Sequence, residues 1–495
     1  MNTTLRRMST VVMAMFLALM VSTTWIQFVQ AESLSGDTRN TRKIYADYCN
    51  LRGPIVVGGE SIVVSTPVDD VCAYRRVYGG GDPAIAELYA PVTGFYSIVN
   101  GSTGIENAEN SFLSGQADSL WLDRLQNLIT GEEVQGSSVE LTIDPAVQRA
   151  AWDALGDRRG AVVAIEPSTG KILAMVSKPS FDPNPLSIFS SADASAAYTA
   201  LLNAPVEGSP YGPLINRATR ATFPPGSTFK LVTAAAALET GRYTADTEID
   251  APRTYQPMPS VDYHMPNFGN AACSPTDRMS LLDALRISCN TAFGKLGVDL
   301  GEDALRDQAE SFGFNQRLEI PLSTAESVVQ DSLPDAAILA QSAIGQRDVV
   351  ATPLQVAMIA AAIANDGELM EPYLVQAVRD SDTAVIQEAT PRRLKTSVSG
   401  STAEALTQMM LAVVNDGSGT SAQIPGVQVA GKTGTAQNGQ GEPTTLWFTA
   451  FAPADAPQVA VAVVLEKEGQ STDETTGGRL ASPVARAVIE AVLAP

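Results

Sequence analysis

The sequence predicts an α/β protein, α+β in its arrangement, whose main domain is a five-stranded antiparallel sheet flanked by helices. Three observations carry that expectation. Strand-like runs at residues 161–165 and 172–176 open the main domain, similar runs at 427–431, 446–452 and 459–465 close it, and the section between reads largely as helices. The sheet is therefore expected to be discontinuous in the chain. A smaller stretch of mixed character and an apolar N-terminal segment precede it.

Taken in order, the chain carries Arg6 and Arg7 and then no charged residue before Glu32. At about 1.5 Å per residue, a helix over residues 8–31 is long enough to cross a bilayer. Positive charge before this segment and acids after it keep the N-terminus inside and the body of the protein outside. We expect an uncleaved signal anchor, because a signal-peptide apolar region is shorter than the whole uncharged stretch. The competing reading is a signal peptide cleaved near Val29-Gln30-Ala31. Either way the body is exported.

The expected division is a short cytoplasmic stub with its membrane segment over 1–31, a small extracytoplasmic domain over 32–136, and the main domain over 137–495. The small domain shows short β-rich pieces at 55–57 and 61–65, a Gly79-Gly80-Gly81 turn, and few long amphipathic runs. At Val139 the pattern changes. A helix is expected at 146–155, then the first two strands, joined by a hairpin turn at Glu166-Pro167-Ser168-Thr169-Gly170-Lys171. Residues 178–213 read as a loop rich in Pro, Asn and Ser. Helices follow at 227–240, 280–287, 302–312 and 353–365, and a last one at 483–493.

Composition excludes several chemistries. With 33 basic against 54 acidic residues and a net charge of −21, a nucleic-acid-binding surface is not the main business of this chain. Its one histidine, His264, lies in the polar stretch Asp262-Tyr263-His264-Met265-Pro266-Asn267 and reads as a loop residue. No metal site and no cofactor are expected. A Ser-His-Asp triad would have to use His264. The four cysteines, Cys49, Cys72, Cys273 and Cys289, enter an oxidising compartment on export and allow three connectivities. Proximity in sequence favours Cys49 with Cys72 and Cys273 with Cys289; four unpaired buried thiols are the alternative.

The reactive candidate is Pro225-Gly226-Ser227-Thr228-Phe229-Lys230 at the start of the 227–240 helix, with Gly241 where a C-cap would fall. Spacing of i,i+3 puts Ser227 and Lys230 on one face, so the amine can reach the hydroxyl, and the helix N-terminus favours negative charge on that oxygen. That describes an activated nucleophile. An isolated S-x-x-K more often marks a polar helix start with a solvated lysine, as its second occurrence at Ser168-Thr169-Gly170-Lys171 illustrates. Two further motifs follow in order. Ser288-Cys289-Asn290 is the only S-x-N, and Lys432-Thr433-Gly434-Thr435 contains the only K-T-G, placed directly after the strand-like run at 427–431. A strand edge bearing a cation and two hydroxyls makes a cradle for a carboxylate and an oxyanion. Gly426 to Thr433 also matches a phosphate-binding loop letter for letter, but its middle is β-like and no helix is expected after it.

The ordered set S-x-x-K, S-x-N, K-T-G resembles that of β-lactamases and penicillin-binding proteins. From about Val139 onward the chain resembles the class B penicillin-binding proteins, most of all their short actinobacterial members. The likeness extends to Leu141-Thr142-Ile143-Asp144, Ala174-Met175 with Phe181-Asp182-Pro183-Asn184, Phe223-Pro224-Pro225-Gly226-Ser227, Gly345-Gln346 with Thr352-Pro353-Leu354-Gln355, Asn365-Asp366-Gly367, and Ala430 through Ala436. Arg52-Gly53-Pro54-Ile55 resembles the R-G-x-I of the class B N-terminal region, although the D-R-N-G usual after it is absent.

The resemblance implies a peptidoglycan D,D-transpeptidase that forms a Ser227 acyl-enzyme with release of D-alanine and is acylated by β-lactams. It assigns Lys230 as base, Ser288 as proton relay, Asn290 and Lys432 as donor-peptide and electrostatic contacts, and Thr433 and Thr435, around Gly434, as carboxylate binders. Backbone N–H groups of Ser227 and Thr435 would form the oxyanion hole. The implied partners are D-Ala-D-Ala stem peptides and a membrane-embedded glycan polymerase. A β-lactamase or D,D-carboxypeptidase is the alternative enzyme, and a non-catalytic division scaffold or β-lactam sensor the alternative from another class. No Glu followed four residues later by Asn occurs between Asn290 and Lys432, which counts against class A β-lactamase deacylation.

Overall fold

The computed structural model describes residues 3–30, 48–117, 135–330, 332–333, 335–438, 442–469 and 476–494. An apolar helix α1 (Thr3–Thr24) continues in a short wider turn to Val29, and an 18-residue window within Thr3–Val29 reaches a mean hydropathy of 1.8 with none of its residues buried. Length and composition suit a membrane span. Ala31, the last residue of the cleavage-like triplet, and the expected domain start at 32 lie outside the described residues.

The next elements are β1 (Ile55–Val57), β2 (Glu60–Pro67), β3 (Tyr74–Tyr78) and α2 (Pro83–Thr93). The sequence reading missed α2, although Asp82 caps it through Ala84 N–H and Pro83 pre-sets its first turn. Strand β4 (Ser138–Leu141) leads to α3 (Pro145–Leu155), β5 (Gly160–Ile165) and β6 (Ile172–Lys178). The expected loop at 178–213 contains a helix, α4 (Ser191–Leu202). Alanines there favour helix, and Ser190 caps it by accepting from Asp193 N–H.

Beyond the expected nucleophile turn come α5 (Lys230–Glu239), α6 (Leu281–Arg286), α7 (Asn290–Leu300), α8 (Glu302–Ser311) and α9 (Pro353–Ala364). Strands β7 (Val375–Arg379) and β8 (Val385–Glu388), helix α10 (Gly400–Asp416), strands β9 (Ala430–Ala436), β10 (Thr444–Ala452) and β11 (Val459–Gly469), and helix α11 (Ser482–Leu493) complete the chain.

Two sheets organise these elements. The larger domain holds five antiparallel strands in the order β9-β10-β11-β5-β6, so the two early and three late strands join where β11 pairs β5, Val463 opposite Val162. Every residue of β5 is buried, because both faces are covered. Val162 and Ala164 meet α3 and α11, whereas Ala161, Val163 and Ile165 belong to the core that includes α5 and α9. Helix α9 is buried from Pro353 to Ile363, as its apolar sequence, broken only by Gln355, requires.

The second sheet runs β8-β7-β4-β1-β2-β3, with β1 and β4 parallel. Two of its strands thus come from residues 375–388, far along the chain from the other four. A buried charge cluster stands beside it. Glu106 accepts from Arg76 Nε at 2.5 Å and Arg52 Nη2 at 2.8 Å, receives the Tyr78 hydroxyl at 3.2 Å, and has no exposed side-chain surface. Burial pushes this carboxyl up, but Arg76 and Arg52 outweigh burial and hold it below the ordinary carboxylate value. Its stabilisation is therefore present above the usual carboxylate range and is lost as the pH falls from that range through the lower folded value. Glu106→Ala leaves two buried guanidinium groups without their carboxylate and should destabilise the domain by about 3–5 kcal/mol. Denaturant unfolding of the portion after the apolar helix checks this; a loss under about 1 kcal/mol, as for an exposed pair, would contradict it.

Candidate active site

Ser227 lies on a single 3-10 turn, Gly226–Phe229, and the regular helix begins only at Lys230, three residues later than expected. The tight turn keeps i and i+3 side chains on one side. Helix α5 is apolar all round and buried from Lys230 to Leu238, so its first residue carries an amine into the interior. It stops at Glu239, and Gly241, at φ 68°, takes the left-handed position expected after it.

The S-x-N motif sits at the corner between α6 and α7. Ser288 adopts φ 64°, uncommon for a non-glycine residue, and the reversal closes α6 through Ser288 N–H to Leu285 O and Cys289 N–H to Ala284 O. The same conformation turns the Ser288 carbonyl onto Lys230. Lys230 Nζ donates to Ser288 O at 2.7 Å and Asn290 Oδ1 at 2.8 Å, and lies 3.2 Å from Ser288 Oγ. The Ser227 hydroxyl, expected within reach of this amine, is not among these three partners.

The K-T-G motif lies inside β9, which starts at Ala430, three residues later than the expected strand, and runs to Ala436. Lys432 Nζ donates to Ser288 Oγ at 2.9 Å and to Thr433 O at 2.9 Å, so two buried amines converge on one hydroxyl. Gly434 explains how closely strand and turn approach. A Cβ there would stand 2.8 Å from Trp447 Cβ, 2.9 Å from Thr228 Cγ2 and 3.1 Å from Pro225 O. On the turn itself Gly226, at φ 53°, lies against Thr435, whose carbonyl oxygen would be 2.8 Å from an added Cβ. Strand β9 therefore runs directly past the nucleophile turn.

Burial sets the electrostatics. Desolvation, and then the neighbouring Lys432, hold Lys230 well below the ordinary lysine value. Desolvation brings Lys432 down to about 7. Among the described ion pairs neither amine has a carboxylate partner. Because the folded-state value is depressed, Lys432 opposes folding in full below about pH 7, and the opposition fades as pH rises towards 10.5.

Comparison with known proteins follows the same lines. The description "Penicillin binding protein transpeptidase domain" matches residues 160–490, and "Penicillin binding protein A dimerisation domain" matches residues 52–139. The chain belongs to the penicillin-binding protein transpeptidases. It is 44% identical, over its full length and 99% of the relative, to peptidoglycan D,D-transpeptidase PbpA of Mycolicibacterium smegmatis. It is 30% identical to peptidoglycan D,D-transpeptidase MrdA of Acinetobacter baumannii, over 79% of this chain and 63% of that one. Among solved structures, penicillin-binding protein A from M. tuberculosis as its penicillin G acyl-enzyme superposes with a TM-score of 0.83 at 43% identity, over 90% of this chain and all of that one.

In this penicillin-binding protein the sequence-predicted residues Lys230, Ser288, Asn290 and Lys432 form one hydrogen-bonded cluster, and Thr433, Gly434 and Thr435 continue from it along β9. Cys273 is bonded to Cys289 within the S-x-N motif, and Cys49 to Cys72 in the smaller domain. The second S-x-x-K, from Ser168, is the hairpin turn between β5 and β6, and His264 is half exposed on its loop. The phosphate-loop match ends inside β9, and the described residues 437–438 and 442–443 after it form no helix; 439–441 lie outside the described residues.

Sequence reasoning missed three neighbours. Ser418 Oγ lies 2.7 Å from Thr433 Oγ1, Pro266 O accepts from Asn290 Nδ2 at 3.2 Å, and Trp447 Nε1 donates to Pro224 O at 3.0 Å. Only Ser418, bracketed by Gly417 and Gly419, carried any local signal. Gly434→Ala should push β9 off the turn and lower the second-order rate constant for β-lactam acylation by about 100-fold, as loss of an oxyanion-hole contact does. Stopped-flow acylation measures it; a wild-type rate would refute the close-approach argument.

Proposed function

We propose that this chain is a membrane-anchored peptidoglycan D,D-transpeptidase acting through a Ser227 acyl-enzyme. One observation carries the reading: Lys230 and Lys432 both bond the Ser288 hydroxyl in a buried site beside the Ser227 turn. The relatives named as peptidoglycan D,D-transpeptidases and the penicillin G acyl-enzyme of the M. tuberculosis protein support it.

The neutral Lys230 amine has two N–H donors and one lone pair. Its two shortest bonds, to Ser288 O and Asn290 Oδ1, employ the donors, which leaves the lone pair to accept a hydroxyl proton. Ser227 Oγ attacks the penultimate D-alanine carbonyl of the stem peptide, and its proton passes to Lys230. The oxyanion is held by the backbone N–H groups of Ser227 and Thr435. Collapse breaks the peptide bond, and the leaving D-alanine amine takes a proton through Ser288 Oγ, which bonds both lysines. Lys432, Thr433 and Thr435 hold the terminal carboxylate. In the second half the amine of a neighbouring stem peptide attacks the ester, Lys230 takes its proton, and collapse breaks the ester bond as that proton returns to Ser227 Oγ.

Thr3–Val29 anchors the enzyme in the membrane, residues 52–139 serve as its pedestal, and the remainder of the exported part is the transpeptidase domain. The glycan strands that it cross-links are supplied by a membrane-embedded glycan polymerase. The test is intact mass spectrometry with a labelled penicillin, paired with D-alanine release from a synthetic stem peptide. Wild type should carry one long-lived adduct and release D-alanine, and Ser227→Ala should do neither. An adduct that survives Ser227→Ala, or rapid turnover of a chromogenic β-lactam, would sink the proposal.

A further inference from the structure

The stretch around His264 is fastened to the catalytic corner at three successive points. The Pro266 carbonyl accepts from Asn290 Nδ2 at 3.2 Å, Asn267 Oδ1 accepts from Thr291 N–H at 2.9 Å, and Cys273 is bonded to Cys289. Asn267 is the centre of this fastening. It is only 6% exposed, and its Nδ2 donates to Arg253 O and Ala271 O, each at 3.2 Å, so its own loop locks its side chain.

The bond to Thr291 has a specific meaning. Helix α7 starts at Asn290 with Cys289 at the N-cap, and a disulfide-bonded cysteine offers no oxygen to the orphan N–H groups of the first turn. Asn267 supplies that oxygen from another segment. The helix it caps opens with Asn290 itself, and the carbonyl that fixes the Asn290 amide belongs to the residue immediately before Asn267. With Nδ2 committed to Pro266, Oδ1 must face Lys230 Nζ, where it stands at 2.8 Å.

We propose that Asn267, which lies outside all three motifs, is a positioning residue for transpeptidation, acting through Asn290 on Lys230. It rests on the transpeptidase reading above and adds a residue whose contribution passes through another. The role requires a neutral amide. A carboxylate at 267 would keep the acceptor but face the Arg253 and Ala271 carbonyls without a donor.

A double-mutant cycle in the full exported chain, read as the rate constant of acylation by a fluorescent penicillin, separates this role from general support of the fold. Asn267→Ala should lower that constant about tenfold when Asn290 is present and less than about twofold in an Asn290→Ala background. Equal losses in both backgrounds, or no loss beside wild-type Asn290, would overturn the proposal. If Asn267→Ala does not fold, Asn267→Ser, which keeps a shorter acceptor, is carried through the same cycle and judged by the same outcomes. Mass spectrometry of the wild-type adduct comes first. Its absence from Ser227 would fail the underlying reading, whereas equal losses with the adduct in place would fail only the role of Asn267.

Discussion

Two buried lysine amines sharing one serine hydroxyl form the interaction on which the rest of the site depends. In water each amine would be charged and would repel the other only weakly. Here Lys230 and Lys432 are both fully buried and without a carboxylate among the described ion pairs, so burial itself presses protons off them. A neutral lysine beside a second amine is a poor stabilising device and a good base. The fold tolerates the arrangement because each amine finds short acceptors, Ser288 O and Asn290 Oδ1 for one and Ser288 Oγ and Thr433 O for the other.

Holding that geometry requires three chain segments distant in sequence to meet within hydrogen-bond distance. The sheet supplies the straight edge: β9 is fixed by full pairing to β10, where Gly434 faces Trp447. The turn supplies the nucleophile, tied back by Trp447 Nε1 to Pro224 O and by Gly226 N–H to Gly345 O. The α6–α7 corner supplies Ser288 and Asn290, and it is the one of the three that holds a non-glycine residue, Ser288, in the left-handed region. That corner is fastened from outside by Pro266, Asn267 and the Cys273–Cys289 bond. The placement follows a physical logic, because the segment least held by regular hydrogen bonding gains most from a cross-link and a borrowed cap.

Much of this was legible in the sequence. Four strands of the main sheet appear as apolar β-rich runs, the fifth was expected at 427–431 and runs instead over 430–436, and the three motifs announce their own order. Signals that act at a distance were not legible. Strands β7 and β8 join the smaller sheet from residues 375–388, because pairing there is decided by partners outside any local window. Helices α2 and α4 were missed, one after the Gly79-Gly80-Gly81 turn and the other in a stretch rich in Pro, Asn and Ser, although Asp82 and Ser190 were caps in plain view. The reach of Lys230 was read as i,i+3 to Ser227, whereas the amine bonds residues 288 and 290, since a buried donor takes the strongest acceptors offered. Asn267 carried no motif at all.

The central claim is that Lys230 is neutral at the working pH. Titration of the portion after the apolar helix labelled with 15N at lysine Nζ, with the Lys230 signal assigned by its loss in Lys230→Met, tests it most directly. The account predicts that Lys230 Nζ has the shift of a free amine at pH 7 and gains its proton only on acidification, while Lys432 titrates near 7. A Lys230 Nζ that stays an ammonium through pH 9 would contradict it.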